Sequence, residues 1–207
     1  MPETDPFRIA SEAALRERIG EPNPATRQKI FDHLDEQMRA FLARSPFCLL
    51  ATTDREGMPE VSPKGDSPGF ALVEDEHSLV LPDRKGNKLL FGLQNLLANP
   101  RVGLIFLVPG TDETLRVSGH AELRTDPELL ARLSARGQPA LLAIRVRVER
   151  CFFHCARAFL RAELWNPESW PEPVRVSFGR QIAPRLGGDA KLAAAIDANV
   201  EKGRADL

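Results

Sequence analysis

The chain has 207 residues, 43% hydrophobic and 28% charged, with a net charge of −1, an ordinary globular composition with enough length for a substantial core. Lysines and arginines are spread along it, which excludes the electrostatic footprint of a nucleic-acid binder, and no apolar run approaches the roughly 18 to 20 residues of a membrane span. Three cysteines and no tyrosine exclude a disulfide framework and any mechanism that needs a tyrosine acid, and MPETDPFRIASE lacks a signal-peptide pattern, so a cytoplasmic protein is expected.

The first 45 residues read as a helical extension. A short helix is expected around residues 12–19. Thr26 then caps a longer one, whose apolar residues Ile30, Phe31, Leu34, Met38, Phe41 and Leu42 recur at helical spacing until Pro46. From Phe47 the period changes to that of strands. PFCLLATT is one strand, and a turn at Gly57 leads to a second around residues 60–62. GFALVEDEHSLVL reads as a hairpin with strands at 69–73 and 78–81. NKLLFGLQNLLANP carries a helical leucine stripe whose first turn is placed near Asn87 and which Asn99-Pro100 ends. RVGLIFLVPG and TLRVSGHAEL are strands, and Asp126-Pro127 starts a helix that Gly137 closes. In ALLAIRVRVERCFF the residues Ile144, Val146 and Val148 face one way and Arg145, Arg147 and Glu149 the other. A last helix covers about 189–201.

This is a mainly β chain with peripheral helices (α+β). Its six to seven antiparallel strands and tight turns suggest a small barrel. The expected organisation is a helical extension at 1–45, a barrel domain at 46–170 and a helical tail at 171–207, packed on the barrel or on a dimer partner. No Gly-x-Gly-x-x-Gly turn marks a dinucleotide-binding parallel fold.

Three clusters could carry chemistry. In LPDRKGNK, residues 81–88, Arg84 and Lys85 stand between a strand end and a helix start, where backbone N–H groups and a partial positive charge attract anions. A solvated turn is the competing reading. VSPKGDSPG places Ser62, Lys64 and Asp66 after a short strand; with the strands at 60–63 and 78–82 expected as neighbours, Lys64 and Arg84 converge on one anion. Arg116, between Leu115 and Val117, is a third cation that needs a partner. In CFFHCARAFLRAELW, residues Cys151, His154 and Cys155 admit a zinc reading, but with no fourth ligand evident, packing at a strand end competes with it and no metal site is assigned. No catalytic residue stands out.

The segments PFCLLATTDREGMPEVSPKGD, LVLPDRKGNK, NPRVGLIFLVPGTDETLRVSGHAEL and FFHCARAFLRAELW, in that order over residues 40–170, resemble the pyridoxamine 5′-phosphate oxidase-related flavoproteins. The resemblance implies a homodimeric split β-barrel with FMN at the subunit interface. It also implies that Ser62 and Lys64 lie along the flavin or its ribityl chain and that Arg84 and Lys85 hold the phosphate. Asn87 and Lys88 would support that end, Arg116 would be a further basic contact, and His154, Arg161 and Trp165 would lie near the ring or the partner. Asp83 stands where the family has a small hydroxyl residue, and the segment between Lys85 and Asn99 is about two helical turns longer than in the oxidase. An arginine or histidine beside the ring would stabilise negative charge on it. The function implied is an FMN-dependent oxidoreductase acting on a small molecule. True pyridoxamine 5′-phosphate oxidase activity is not expected, because RVSFGRQIAPRLGG lacks the histidine of the substrate motif. A non-catalytic flavin- or haem-binding or sensing module is the alternative, and a deazaflavin could replace FMN on the same cations.

Overall fold

The structure, a computed structural model, describes residues 5, 7–86 and 88–205, and the chain divides into two compact units after Trp165. The first unit opens with helices α1 (Glu12–Ile19), α2 (Pro24–Arg27) and α3 (Glu36–Leu42). Strands β1 (Phe47–Thr53), β2 (Pro59–Gly65), β3 (Leu72–Asp75) and β4 (Ser78–Asp83) follow, then helix α4 (Phe91–Ala98). Strands β5 (Arg101–Leu107) and β6 (Thr114–Arg124), helix α5 (Pro127–Arg132), strand β7 (Leu142–His154) and helix α6 (Arg157–Arg161) complete it. Helices therefore enter after the fourth and sixth strands, as the sequence predicts.

The seven strands of the described residues form one antiparallel sheet in the order β2-β1-β5-β6-β7-β4-β3. Alternate residues fill its core: Cys48 and Leu50, Val102, Leu104 and Phe106, Leu115 and Val117, Ile144 and Val146 are all buried. Strand β4 is buried on both faces: Leu79 and Leu81 join that core, while Val80 joins a smaller one with Leu129 and Leu133 of the α5 segment, Ala140 and Ala143. Between Ser118 and Gly119 the β6–β7 register slips by one residue, the mark of a β-bulge. Only glycine fits there, because a Cβ on Gly119 would lie 1.9 Å from the Arg147 carbonyl oxygen.

Three expectations are corrected. The helix predicted from Thr26 to Pro46 is broken. Asn23 caps α2 through the Ala25 amide, and Asp35 caps α3 by accepting from the Met38 amide at 2.8 Å. Between them Phe31 exchanges two backbone hydrogen bonds with Cys151, at 3.0 and 2.8 Å. Two local caps and one long-range bridge outweigh a continuous apolar stripe, and Leu34, Met38 and Leu42 still reach the core. Strands β2 and β4 are not ladder neighbours: β2 pairs with β1, and β4 pairs with β3 and β7. Their side chains nevertheless meet, since Lys64 of β2 forms an ion pair with Asp83 of β4; the sheet curls enough to bring them together. Finally, α4 starts at Phe91 rather than near residue 87, after left-handed turns at Lys88 (φ 61°) and Leu90 (φ 60°).

The second unit, Asn166–Leu207, contains α7 (Phe178–Ile182) and α8 (Ala190–Ala205). Asp197 ties them together, accepting from the Ser177 hydroxyl at 2.5 Å and the Gly179 amide at 2.8 Å. Among the described residues no helix is long and apolar enough to cross a membrane.

Candidate functional site

Strand β2 sets one wall of a cavity. Its burial alternates, so Glu60, Ser62 and Lys64 turn to the core side while Val61 and Pro63 turn outward. Pairing with β1 puts Ser62 opposite Leu50 and Lys64 opposite Cys48. The end of β4 supplies Asp83, and the segment after it supplies Arg84, Lys85, Gly86 and Lys88. The left-handed residues before α4 fold the chain back, so that Leu89 to Leu93 close another side of a cavity of about 460 Å³. Helix α4 sits close to β2: a Cβ on Gly92 would lie 3.6 Å from the Ser62 hydroxyl. It is tied to β1 by Asn95 Nδ2, which donates to the Thr52 hydroxyl at 3.1 Å, and by Asn99 Nδ2, which donates to that of Thr53 at 2.7 Å.

The cations here are partly matched by acids. Lys64 donates to Asp83, and both side chains are largely buried. Arg84 spans two partners: Nε donates to Asp66 Oδ2 at 2.9 Å, and Nη2 contacts that oxygen at 2.9 Å and donates to the Leu133 carbonyl at 2.7 Å. Its third nitrogen, Nη1, is buried without a partner among the described residues, an unspent donor of the kind that native structures seldom leave unexplained. Four cations line the cavity, Lys64, Arg84, Lys85 and Lys88, against two acids, Glu60 and Asp83, so it is electropositive. Beneath Lys64, burial pushes the Cys48 thiol up to about 12, which keeps it protonated and without nucleophilic character.

The structure therefore brings together Ser62, Lys64, Arg84, Lys85 and Lys88. Asn87 lies outside the described residues. Arg116 does not join them. With Leu115 and Val117 in the core, Arg116 faces the other side of the sheet, in a cross-strand row of Pro63, Leu49, Ile105, Arg116 and Phe152. Its Nε is buried and has no partner among the described residues. His154, near the end of the same face, has its pKa lowered by burial first, then by Arg116 and Lys29, which favours the neutral imidazole. The Lys29 ammonium lies 5.7 Å from the Phe152 ring centroid. Arg161 is exposed on α6. The Trp165 indole N–H donates to the Thr111 carbonyl at 2.9 Å and its ring lies 5.9 Å from that of Phe159. Of the cysteines considered for zinc, Cys151 is buried with Sγ donating to the His33 carbonyl at 2.9 Å, while Cys155 is exposed.

Sequence reasoning missed Glu60, which lines the cavity, and the pairing of Asp83 and Asp66 with Lys64 and Arg84. Glu60 shares the period-two face of Ser62 and Lys64, so strand parity alone could have placed it. The same parity puts Arg116 opposite the core.

The family model described as pyridoxamine 5′-phosphate oxidase matches residues 34–155. None of the curated proteins compared matches the chain. Among solved structures, HupZ of Group A Streptococcus aligns at 18% identity and TM-score 0.47, over 57% of this chain and 92% of its own. An F420 reductase aligns at 23% and 0.42, over 55% and 94%. An FMN-binding protein from Syntrophomonas wolfei aligns at 13% and 0.44, over 56% and 88%.

Proposed function

Since the chain belongs to the pyridoxamine 5′-phosphate oxidase family, we propose that it is an FMN-binding oxidoreductase acting on a small molecule, with its cofactor phosphate in the cavity beside Arg84. The carrying observation is that cavity itself: about 460 Å³, four cations against two acids, and an arginine with a buried, unpartnered nitrogen. These residues fit a phosphate-bearing group. Lys85 and Lys88 are exposed or nearly so and carry no carboxylate partner among the described residues, so they are free to meet phosphate oxygens. Lys64 and Ser62 lie deeper along β2, where a ribityl chain would run.

FMN supplies the hydride or electron chemistry when bound. The chain's own residues bind and orient it. Asp83 holds Lys64 in place, Asp66 and the Leu133 carbonyl hold Arg84, and Leu89 to Leu93 shield one side from water.

The outer face of the sheet supports a homodimer. The row Pro63, Leu49, Ile105, Arg116 and Phe152 is apolar apart from one arginine with an unsatisfied buried nitrogen, and Phe47 and Val61 beside it are exposed. A second copy covering this face would bring Arg116 and His154 to a cofactor at the interface, where a neutral imidazole and a guanidinium can hold negative charge on the ring. Because the tail RVSFGRQIAPRLGG contains no histidine, the substrate proposed for this site is a small molecule other than pyridoxamine 5′-phosphate.

The test is a titration of the protein with FMN, followed by quenching of flavin fluorescence. One FMN per chain is expected, with at least about tenfold weaker binding in a Lys85→Ala, Lys88→Ala double variant, from the loss of two charge-assisted contacts. Absence of saturable FMN binding would remove the proposal.

A further inference from the structure

Arg84 lines a second cavity, of about 400 Å³, which shares only that residue with the first. Its walls come from Asp66 to Leu72 and from the end of α5 through Arg136. Three arginines line it, Arg84, Arg132 and Arg136, and the acid among its residues, Asp66, is already bonded to Arg84. Among the described residues neither Arg132 nor Arg136 has an ion-pair partner, and both are exposed.

The turn that carries Arg136 is unusual. Ala135 and Gln138 exchange backbone hydrogen bonds at 3.0 and 2.9 Å, and the two residues between them, Arg136 (φ 51°) and Gly137 (φ 75°), are both left-handed. A glycine suits that geometry, whereas an arginine there costs about 1 to 2 kcal/mol. Strained residues of this kind cluster at ligand-binding and switch regions. The Ser134 hydroxyl spends its proton on the Ala131 carbonyl at 2.5 Å, so it offers an anion nothing, but among the described residues the Ser67 hydroxyl has no acceptor. Phe70 supplies an apolar wall beside these polar groups. The space is several times larger than a bare phosphate needs.

We propose that this second cavity binds a small phosphorylated molecule, its phosphate held by Arg132, Arg136 and Ser67 with Arg84 behind them, and its apolar body against Phe70. The site is separate from the cofactor cavity and does not depend on FMN occupying it.

The test uses phenyl phosphate as probe and phenol as its uncharged counterpart, titrated by calorimetry into the full chain after saturation with FMN. Phenyl phosphate should bind in the millimolar range and phenol at least about tenfold more weakly, with the difference shrinking as salt is raised. Arg132→Ala with Arg136→Ala, both at exposed positions, should weaken phenyl phosphate at least about tenfold and leave the FMN stoichiometry unchanged. No binding by the wild type, or equal binding by the double variant, overturns the proposal. So does loss of FMN in the double variant, which would make this cavity part of the cofactor site. Should the chain take up no FMN at all, the same titration of the untreated protein still reads the second cavity, because the variant arginines do not line the first.

Discussion

Asp83→Asn should tighten FMN binding. Asp83 is one of two acids in the cofactor cavity, and its carboxylate neutralises Lys64. An asparagine is isosteric, and its amide oxygen still accepts from the Lys64 ammonium, so the geometry survives while one negative charge disappears. A cavity of about 460 Å³ has a radius of roughly 5 Å, and a unit charge at that distance acts on an anion with about 3 kcal/mol at an effective dielectric of about 20. Screening with a Debye length of about 8 Å leaves somewhat under about 2 kcal/mol, so binding should tighten about ten- to twentyfold. The fold loses one charge-assisted hydrogen bond, worth about 1 kcal/mol after the neutral bond replaces it. Fluorescence titration at 0.15 M salt reads the affinity, and repetition at higher salt should narrow the gap between wild type and variant. Unchanged or weaker binding by a variant that remains folded would refute the electrostatic reasoning.

Three further outcomes follow from the same structure. Glu74 accepts from Arg145 at 2.8 and 3.0 Å, and that bond holds its carboxyl below the ordinary value; Glu74→Gln should therefore cost up to about 1 kcal/mol at pH 7. Because the folded pKa is depressed, this contribution is present above the unfolded value and fades as pH falls through the folded one, so denaturant midpoints of wild type and variant should converge in acid. Burial lifts the Cys48 and Cys151 thiols to about 12 and about 11, while Cys155 is exposed; a thiol reagent at pH 8 should label Cys155 fast and the other two only on unfolding, as peptide mapping would show. Gly119→Ala would drive a Cβ to within 1.9 Å of the Arg147 carbonyl oxygen and should destabilise the β6–β7 pair by about 3 kcal/mol, read from the thermal midpoint.

Much of the fold was legible because the strands obey a simple alternation. Leu115 and Val117 inward fix Arg116 outward, and Ile144, Val146 and Val148 share a face as their spacing predicts. The helix expected from Thr26 failed because its interruption is set by a partner 120 residues away, Cys151, which no local pattern announces. The start of α4 slipped for a different reason: Lys88 and Leu90 adopt left-handed conformations that residues of their type rarely take. At the site, the basic residues were easy to find and their acids were not. Asp66 and Asp83 read as turn residues until the curl of the sheet sets them against Arg84 and Lys64. Charge balance in a cavity depends on strand order, and a single sequence does not state strand order.

The central claim is tested most directly by the absorption spectrum of freshly purified protein, with the mass of any chromophore released on denaturation. Flavin bands and the mass of FMN, both diminished in Arg84→Ala, are the predicted result. A colourless protein that takes up no added FMN, or one that releases a deazaflavin or haem instead, would contradict it.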